Sequence, residues 1–274
     1  MDTGLRAFRE FLGGDESRLD LGHGALLVAQ VEHPGIVVSR ELGRLDDLAQ
    51  RSGAGVVGDP VKALHRLREF LFEEEGFHGN AEKYYDPCNS CLNDVLTRRT
   101  GIPISLSVVT MEVGRRVGLT IDGIGLPAHF VVAARMGRER VLLDPFDGGS
   151  VLTHAGAEAL VARALGRRVR LRDDHFRPLS TRQILARMLG NLKGIYARAE
   201  AWDKALAVVE RLLAVDDECA AYVRDRGAVR ARLGRLGPAA SDFEAYLTLA
   251  PAAQDADGVR KQLRRVRERL AALN

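Results

Sequence analysis

The sequence predicts an α+β chain, with a helical and antiparallel-sheet domain over residues 1–178 and an all-α domain over residues 179–274. Three observations carry that prediction. Apolar residues recur at three- and four-residue spacing through most of the first 117 positions, the mark of amphipathic helices. From Leu119 onward the spacing gives way to short apolar runs, HFVVAAR and RVLLDPF, split by a turn. Beyond residue 181 no strand signal remains and a 34-residue period takes over.

Taken in order, residues 5–13 and 19–33 read as helices, and Pro34 ends the second. The next is expected from Ser39, as its N-cap, to Gln50, burying Leu42, Leu45 and Leu48. Another follows Asp59, with Pro60 at the first helical position and Val61, Leu64, Leu67 and Leu71 on one face. The stretch EEEGFHGNAEKYYDPCNS is polar and turn-rich and reads as a loop. Asn89 and Ser90 are expected to cap a helix running to Arg99, and Pro103 opens one that buries Leu106, Val109, Val113 and Val117. The two apolar runs, joined by Met136-Gly137-Arg138-Glu139, form a hairpin, and a further helix covers 155–165.

Within the C-terminal period Trp202 corresponds to Leu236, Ala205 to Ala239, Leu212 to Tyr246 and Asp217 to Pro251. Gly227, Gly234, Ala239 and Pro251 fall where the tetratricopeptide pattern wants small residues and a terminal proline. The first unit departs from it, with Lys193 where the second has Gly227. Residues 255–272 then form a polar capping helix with Leu263 and Leu270 inward.

Composition removes several function classes. No run of 18 apolar residues occurs, and the charged N-terminus lacks the apolar core of a secretory signal. Three cysteines make no disulfide framework, which points to a reducing, cytoplasmic setting. The net charge is +3, and only five of the 40 basic residues are lysine. The arginines are interspersed with acids, so no nucleic-acid surface is expected, and without a long apolar run no membrane span is expected. No cofactor is called for, and the oligomeric state is not set by sequence.

Chemistry concentrates in the middle of the chain. His129 lies on one apolar run and Asp144 ends the next, so a hairpin brings them within reach of a histidine base and its orienting carboxylate. The same residues also suit a satisfied core histidine and an Asp-Pro turn. Cys88 and Cys91 form a CxxC at a helix start, where amide dipoles favour a thiolate. Zinc would need two more ligands, and no second CxxC or HxxxH is present, so no metal is expected. Ser105 and Ser107 lie in the first turns after Pro103, placed for Ser–His–Asp chemistry or for capping and packing. Cys219 reads as a small buried apolar residue in the repeats.

The string YYDPCNSCLNDVLTRRTGIPISLSVVTMEVGRRVGLTIDGIGLPAHFVV, then LLDPFDGG, RQILARMLGNLKGIY and YVRDRGA, resembles the SirB family over nearly the whole chain. The resemblance implies a transglutaminase-like domain followed by tetratricopeptide repeats in a bacterial protein. It implies His129 and Asp144 as the histidine and aspartate of an acyl-transfer core. The nucleophilic cysteine of active relatives is expected at Pro103 to Ser105, counting back from Gly118, and none stands there. A non-catalytic interaction or regulatory protein is therefore expected, binding a protein or peptide through its repeats. In it, Asp86, Asn89 and Ser105 serve a polar network or a bound ligand. The alternative is a hydrolase or acyltransferase with Cys91, or Ser105, as nucleophile, His129 as base and Asp144 orienting it.

Overall fold

The computed structural model describes residues 3–273 and shows an α+β chain, as the patterning predicts. Contacts gather into two compact units: Gly14–Met188, and the chain up to Gly13 together with Leu189 onward. This division differs from 1–178 and 179–274 at both ends. The first helix, α1 (Thr3–Leu12), packs on the repeat helix Trp202–Val215 with Phe8 and Leu12 buried. Nothing in an amphipathic helix says which core its apolar face will join.

The larger unit begins with α2 (Leu21–Ala29), whose N-cap Asp20 accepts from His23 N at 2.8 Å and which is apolar on nearly every side. Helix α3 (Val38–Ser52) starts one residue before Ser39, so Ser39 is helical and Val37 is the cap. Asp59 caps α4 (Pro60–Arg68), accepting from Lys62 N at 2.9 Å. The helix widens into a π-helical turn, Glu69–Glu74, that buries Phe70 and Leu71. The expected loop contains a two-residue strand β1 (His78–Gly79) and a 3₁₀ turn, Pro87–Asn89. Helix α5 (Leu92–Arg98) has Cys91 at its N-cap rather than Asn89 or Ser90, which the preceding turn occupies. Strand β2 (Thr100–Gly101) pairs in parallel with β1.

Helix α6 (Pro103–Arg116) is the axis of this unit, with eleven of its residues buried, from Pro103 to Gly114. A helix buried on nearly every side is central, and α6 meets α2, α3, α5 and the main sheet. That sheet is antiparallel in the order β3 (Ile121–Ile124), β4 (Val131–Met136), β5 (Glu139–Asp144), β6 (Ser150–Leu152). Gly137, at φ 65°, turns the expected hairpin. Helix α7 (His154–Leu165) covers a face of the sheet, its Ala157 and Val161 packing with Ile124, Val131, Ala133, Leu171 and Phe176.

Helix α8 (Thr181–Arg198) continues the chain into the repeats: α9 (Trp202–Val215), α10 (Ala220–Arg232), α11 (Leu236–Leu249) and α12 (Ala256–Ala271). Their core joins Val209, Val223, Ala239, Phe243, Tyr246, Val259 and Leu263. Gly227 is required by close packing, since a Cβ there would stand 3.0 Å from both Asp242 and Phe243. Lys193, which replaces the small residue in the first unit, pairs with Asp225 and lies 6.0 Å from the centre of the Tyr222 ring. Cys219 is the N-cap residue of α10 and only half-buried, not the buried packing residue expected. Leu263 of the capping helix is buried, as expected.

One chemical change should have opposite effects at two helical glycines. A Cβ on Gly114 would overlap the Ile121 side chain, whereas one on Gly190 meets nothing within 4 Å. In urea unfolding, Gly114→Ala should destabilise the protein by about 1–3 kcal/mol, as overpacking does. Gly190→Ala should stabilise it by up to about 1 kcal/mol through helix propensity.

Candidate functional site

His129 is not within a strand. It stands two residues before β4, in a turn whose Ala128 adopts φ 57°, a conformation that L-residues rarely take. Its backbone N–H donates to Leu126 O at 3.2 Å, and Arg187 donates to the carbonyls of both Leu126 and His129 at 3.0 Å. Arg187 also lies over the Phe130 ring, and its burial lowers the guanidinium pKa. Those contacts fix the turn so that the imidazole reaches across to the end of β5.

There His129 Nε2 lies 3.0 and 3.1 Å from the two carboxylate oxygens of Asp144. The histidine is 9% exposed and Asp144 1% exposed. A carboxylate only accepts, so Nε2 carries the hydrogen and Nδ1 presents its lone pair in the neutral ring. Nδ1 makes no hydrogen bond among the described residues. Asp144 is itself held, with Oδ1 accepting from Phe146 N at 3.0 Å and its carbonyl accepting from Gly149 N at 2.8 Å. Gly149, at φ 68°, lets this turn close against the Phe72 ring. Arg68 Nε donates to Gly149 O at 2.7 Å from the other side. The Phe146 ring stands edge-on to His129 at 6.1 Å, and Tyr84 packs on Phe146 at 6.3 Å. A Cβ on Gly79 would come within 2.6 Å of Phe146, so glycine is what lets β1 pass this ring.

The residues where the resemblance expects a nucleophile, Pro103 to Ser105, form the first turn of α6. Ser105 is fully buried; its hydroxyl donates to Asn89 O at 2.6 Å and accepts from Ile102 N at 3.0 Å. The carboxamide of Asn89 donates to Lys83 O at 2.7 Å and to Tyr84 O at 3.4 Å, and accepts from Asn80 at 3.2 Å. Asp86 caps the 3₁₀ turn through Cys88 N at 3.0 Å and pairs with Arg98 at 2.9 Å. The hydrogen bonds of Asp86, Asn89 and Ser105 thus tie the loop before α5 to the start of α6. Ser107 Oγ is buried without a hydrogen-bond partner.

The thiols lie in a different electrostatic setting from the one their helix position suggests. Burial, reinforced by Asp94 and Asp86, pushes the Cys88 thiol up to about 12. Cys91 is fully buried; that burial and the charges of Asp94, Cys88, Glu32 and Asp86 raise its pKa far above the ordinary thiol range. Desolvation and neighbouring carboxylates both disfavour a thiolate, and together they outweigh the dipole of a helix with only seven residues. The imidazole beside Cys88 is His33, which sequence reasoning did not single out. Its Nε2 lies 2.7 Å from Asp94 Oδ2, across 61 positions of sequence. Arg187, Phe146 and Tyr84 were likewise not singled out, because no spacing signal links them to the histidine.

These elements define a transglutaminase-like domain joined to a helical-repeat array, and comparison with known proteins agrees. The transglutaminase-like superfamily profile matches residues 39–190, and a tetratricopeptide-repeat profile matches residues 192–264. A UPF0162 protein of Xylella fastidiosa is 34% identical over 265 residues, covering 91% of this chain and 90% of its own. A Vibrio cholerae UPF0162 protein is 30% identical over 240 residues, covering 86% and 88%. The mouse F-box only protein 21 is 30% identical over 145 residues, half of this chain and 22% of that one. The chain belongs to the transglutaminase-like superfamily and, within it, to the UPF0162 family. Among solved structures, menin aligns with a TM-score of 0.43 at 11% identity, over 94% of this chain and 72% of menin, too distant to carry an argument. No helix among the described residues is long and apolar enough to cross a membrane.

The elevated thiol pKa values give a direct expectation. A pKa raised in the folded state leaves less thiolate at any given pH. Relative to a free cysteine of pKa about 8.5, Cys88 near 12 holds less thiolate at pH 8 by a factor of more than about 10². Iodoacetamide labelling followed by peptide mass spectrometry should therefore modify Cys88 and Cys91 slowly in the native protein and rapidly in urea. Native labelling of Cys91 at the free-cysteine rate would contradict this.

Proposed function

We propose that this protein is a non-catalytic interaction protein of the SirB type, acting in the cytoplasm. In this reading the transglutaminase-like domain is a scaffold and the repeats receive a protein or peptide partner. The observation that carries it is how the first turn of α6, where a nucleophile is expected, is used. Pro103 opens α6 there, and the Ser105 hydroxyl is committed to Asn89 O and Ile102 N. An acyl-transfer site needs a nucleophile beside the free nitrogen of its base, and the chain supplies a proline-led turn. His129 and Asp144 then hold the turn before β4 to the end of β5, a structural use of an inherited pair. A reaction through Cys91 is disfavoured by its full burial and raised pKa. The repeat profile over residues 192–264 supports partner binding, since stacked helix pairs present extended surfaces to peptides. The free thiols of Cys88, Cys91 and Cys219 fit a reducing compartment.

Acyl transfer tests the first half of the proposal. With activated esters and glutamine peptides, with and without an amine acceptor, the full chain and its His129→Ala variant should release product at the same background rate. General-base catalysis alone contributes about 10²–10⁴-fold, so a rate more than tenfold above the variant's would refute the scaffold reading. The second half is tested by crosslinking the full chain in cells and repeating with Lys193→Glu and Tyr222→Ala. The expected outcome is a defined partner set that these changes deplete; a set unaltered by these substitutions on α8 and α10 would remove the repeats from the proposal.

A further inference from the structure

A second imidazole–carboxylate pair lies outside the His129 site, and it has a thiol beside it. The donor atoms of His33, Cys88 and Asp94 all lie within 4.8 Å of one another. Each comes from a separately fixed piece of backbone. His33 follows α2, its N–H donating to Ala29 O at 3.0 Å. Cys88 sits in the 3₁₀ turn that Asp86 caps, and Asp94 lies in the first turn of α5. Asn93 Nδ2 holds Asp94 Oδ1 at 3.2 Å, which leaves Oδ2 for His33. All three side chains are half-buried, neither sealed in the core nor fully solvated. Two buried amide oxygens from the same segments, Gln30 Oε1 and Asn93 Oδ1, have no hydrogen-bond partner.

We propose that His33, Cys88 and Asp94 bind one divalent transition-metal ion of the zinc type, with water at the fourth position. One nitrogen, one sulfur and one carboxylate oxygen form a borderline-soft set that suits zinc or cobalt and not calcium or magnesium, which take oxygen alone. Metal–ligand bonds of about 2.0–2.3 Å give tetrahedral edges of about 3.3–3.8 Å, and the three donor atoms already lie within 4.8 Å of one another. Three protein ligands leave an open position for water. Protons balance simply. The metal takes the sulfur lone pair as the Cys88 thiol releases its proton to solvent. The imidazole hydrogen moves from Nε2 to Nδ1, and Asp94 exchanges its bond to His33 for one to the metal. With His33 neutral, one proton is released per ion bound. The resident cation offsets the charge that the thiolate would otherwise place beside Asp94 and Asp86, of which Asp86 pairs with Arg98.

The test uses the reduced, chelator-treated full chain titrated with cobalt(II) alone. One equivalent should develop a thiolate-to-cobalt charge-transfer band together with the visible absorption of a four-coordinate ion. Cys88→Ser should abolish the charge-transfer band, while Cys91→Ser and Cys219→Ser should keep it. His33→Gln and Asp94→Asn should each weaken affinity by more than about tenfold, the least that loss of even an outer-sphere partner typically costs. Zinc K-edge absorption of the unmodified protein guards against variants that misfold, and it should find one sulfur among nitrogen or oxygen neighbours. Absence of the band, its survival in Cys88→Ser, its loss in Cys219→Ser, or a zinc shell with no sulfur or with two would each overturn the assignment.

Discussion

The larger unit is organised by the way α6 begins. Pro103 has no N–H to leave unsatisfied at the first helical position, and Ser105, two residues on, accepts from Ile102 N. The same hydroxyl donates to Asn89 O, and Asn89 in turn holds the Lys83–Tyr84 backbone. Because α6 is buried on all sides, its entry point cannot drift, and the sheet strands and the turns bearing His129 and Asp144 are placed relative to it. A serine that caps a buried helix in this way anchors the entry to that helix.

Two histidine–carboxylate pairs, built alike, sit in different surroundings. His129 and Asp144 are enclosed by Phe146, Tyr84 and the Arg187 clamp, and the pair joins the end of one strand to the start of another. His33 and Asp94 are partly open and stand next to a thiol whose burial and carboxylate neighbours keep it protonated. Enclosure favours a fixed structural hydrogen bond, because burying an imidazole without its partner is costly. Partial exposure leaves the second pair in contact with solvent. The family resemblance drew attention to the first pair, while the geometry of the chain gives the second the richer ligand set.

Helical periodicity marked where most helices run, since apolar spacing reports burial of one face whatever the partner. It found α4, α6, the hairpin and the repeat helices, and the identity of Pro60 and Pro103 marked two starts. It misplaced two caps. Ser39 and Asn89–Ser90 are good capping residues by type, yet Val37 and Cys91 hold those positions, because tertiary packing set where each helix could begin. It also treated Lys193 as a defect in the first repeat, where the ion pair with Asp225 and the contact with Tyr222 replace close glycine packing.

By itself the sequence determined the α+β class, the 34-residue repeat, the hairpin that carries Asp144 and the vacancy of sulfur at the start of α6. These are local or periodic properties, legible in residue type and spacing. Only the tertiary structure decided that α1 belongs with the repeats, that His129 stands in a clamped turn and not on a strand, and that His33 meets Cys88 and Asp94. Each of those depends on which distant segments share a core, and contacts separated by fifty or more positions leave no spacing in a single chain to read.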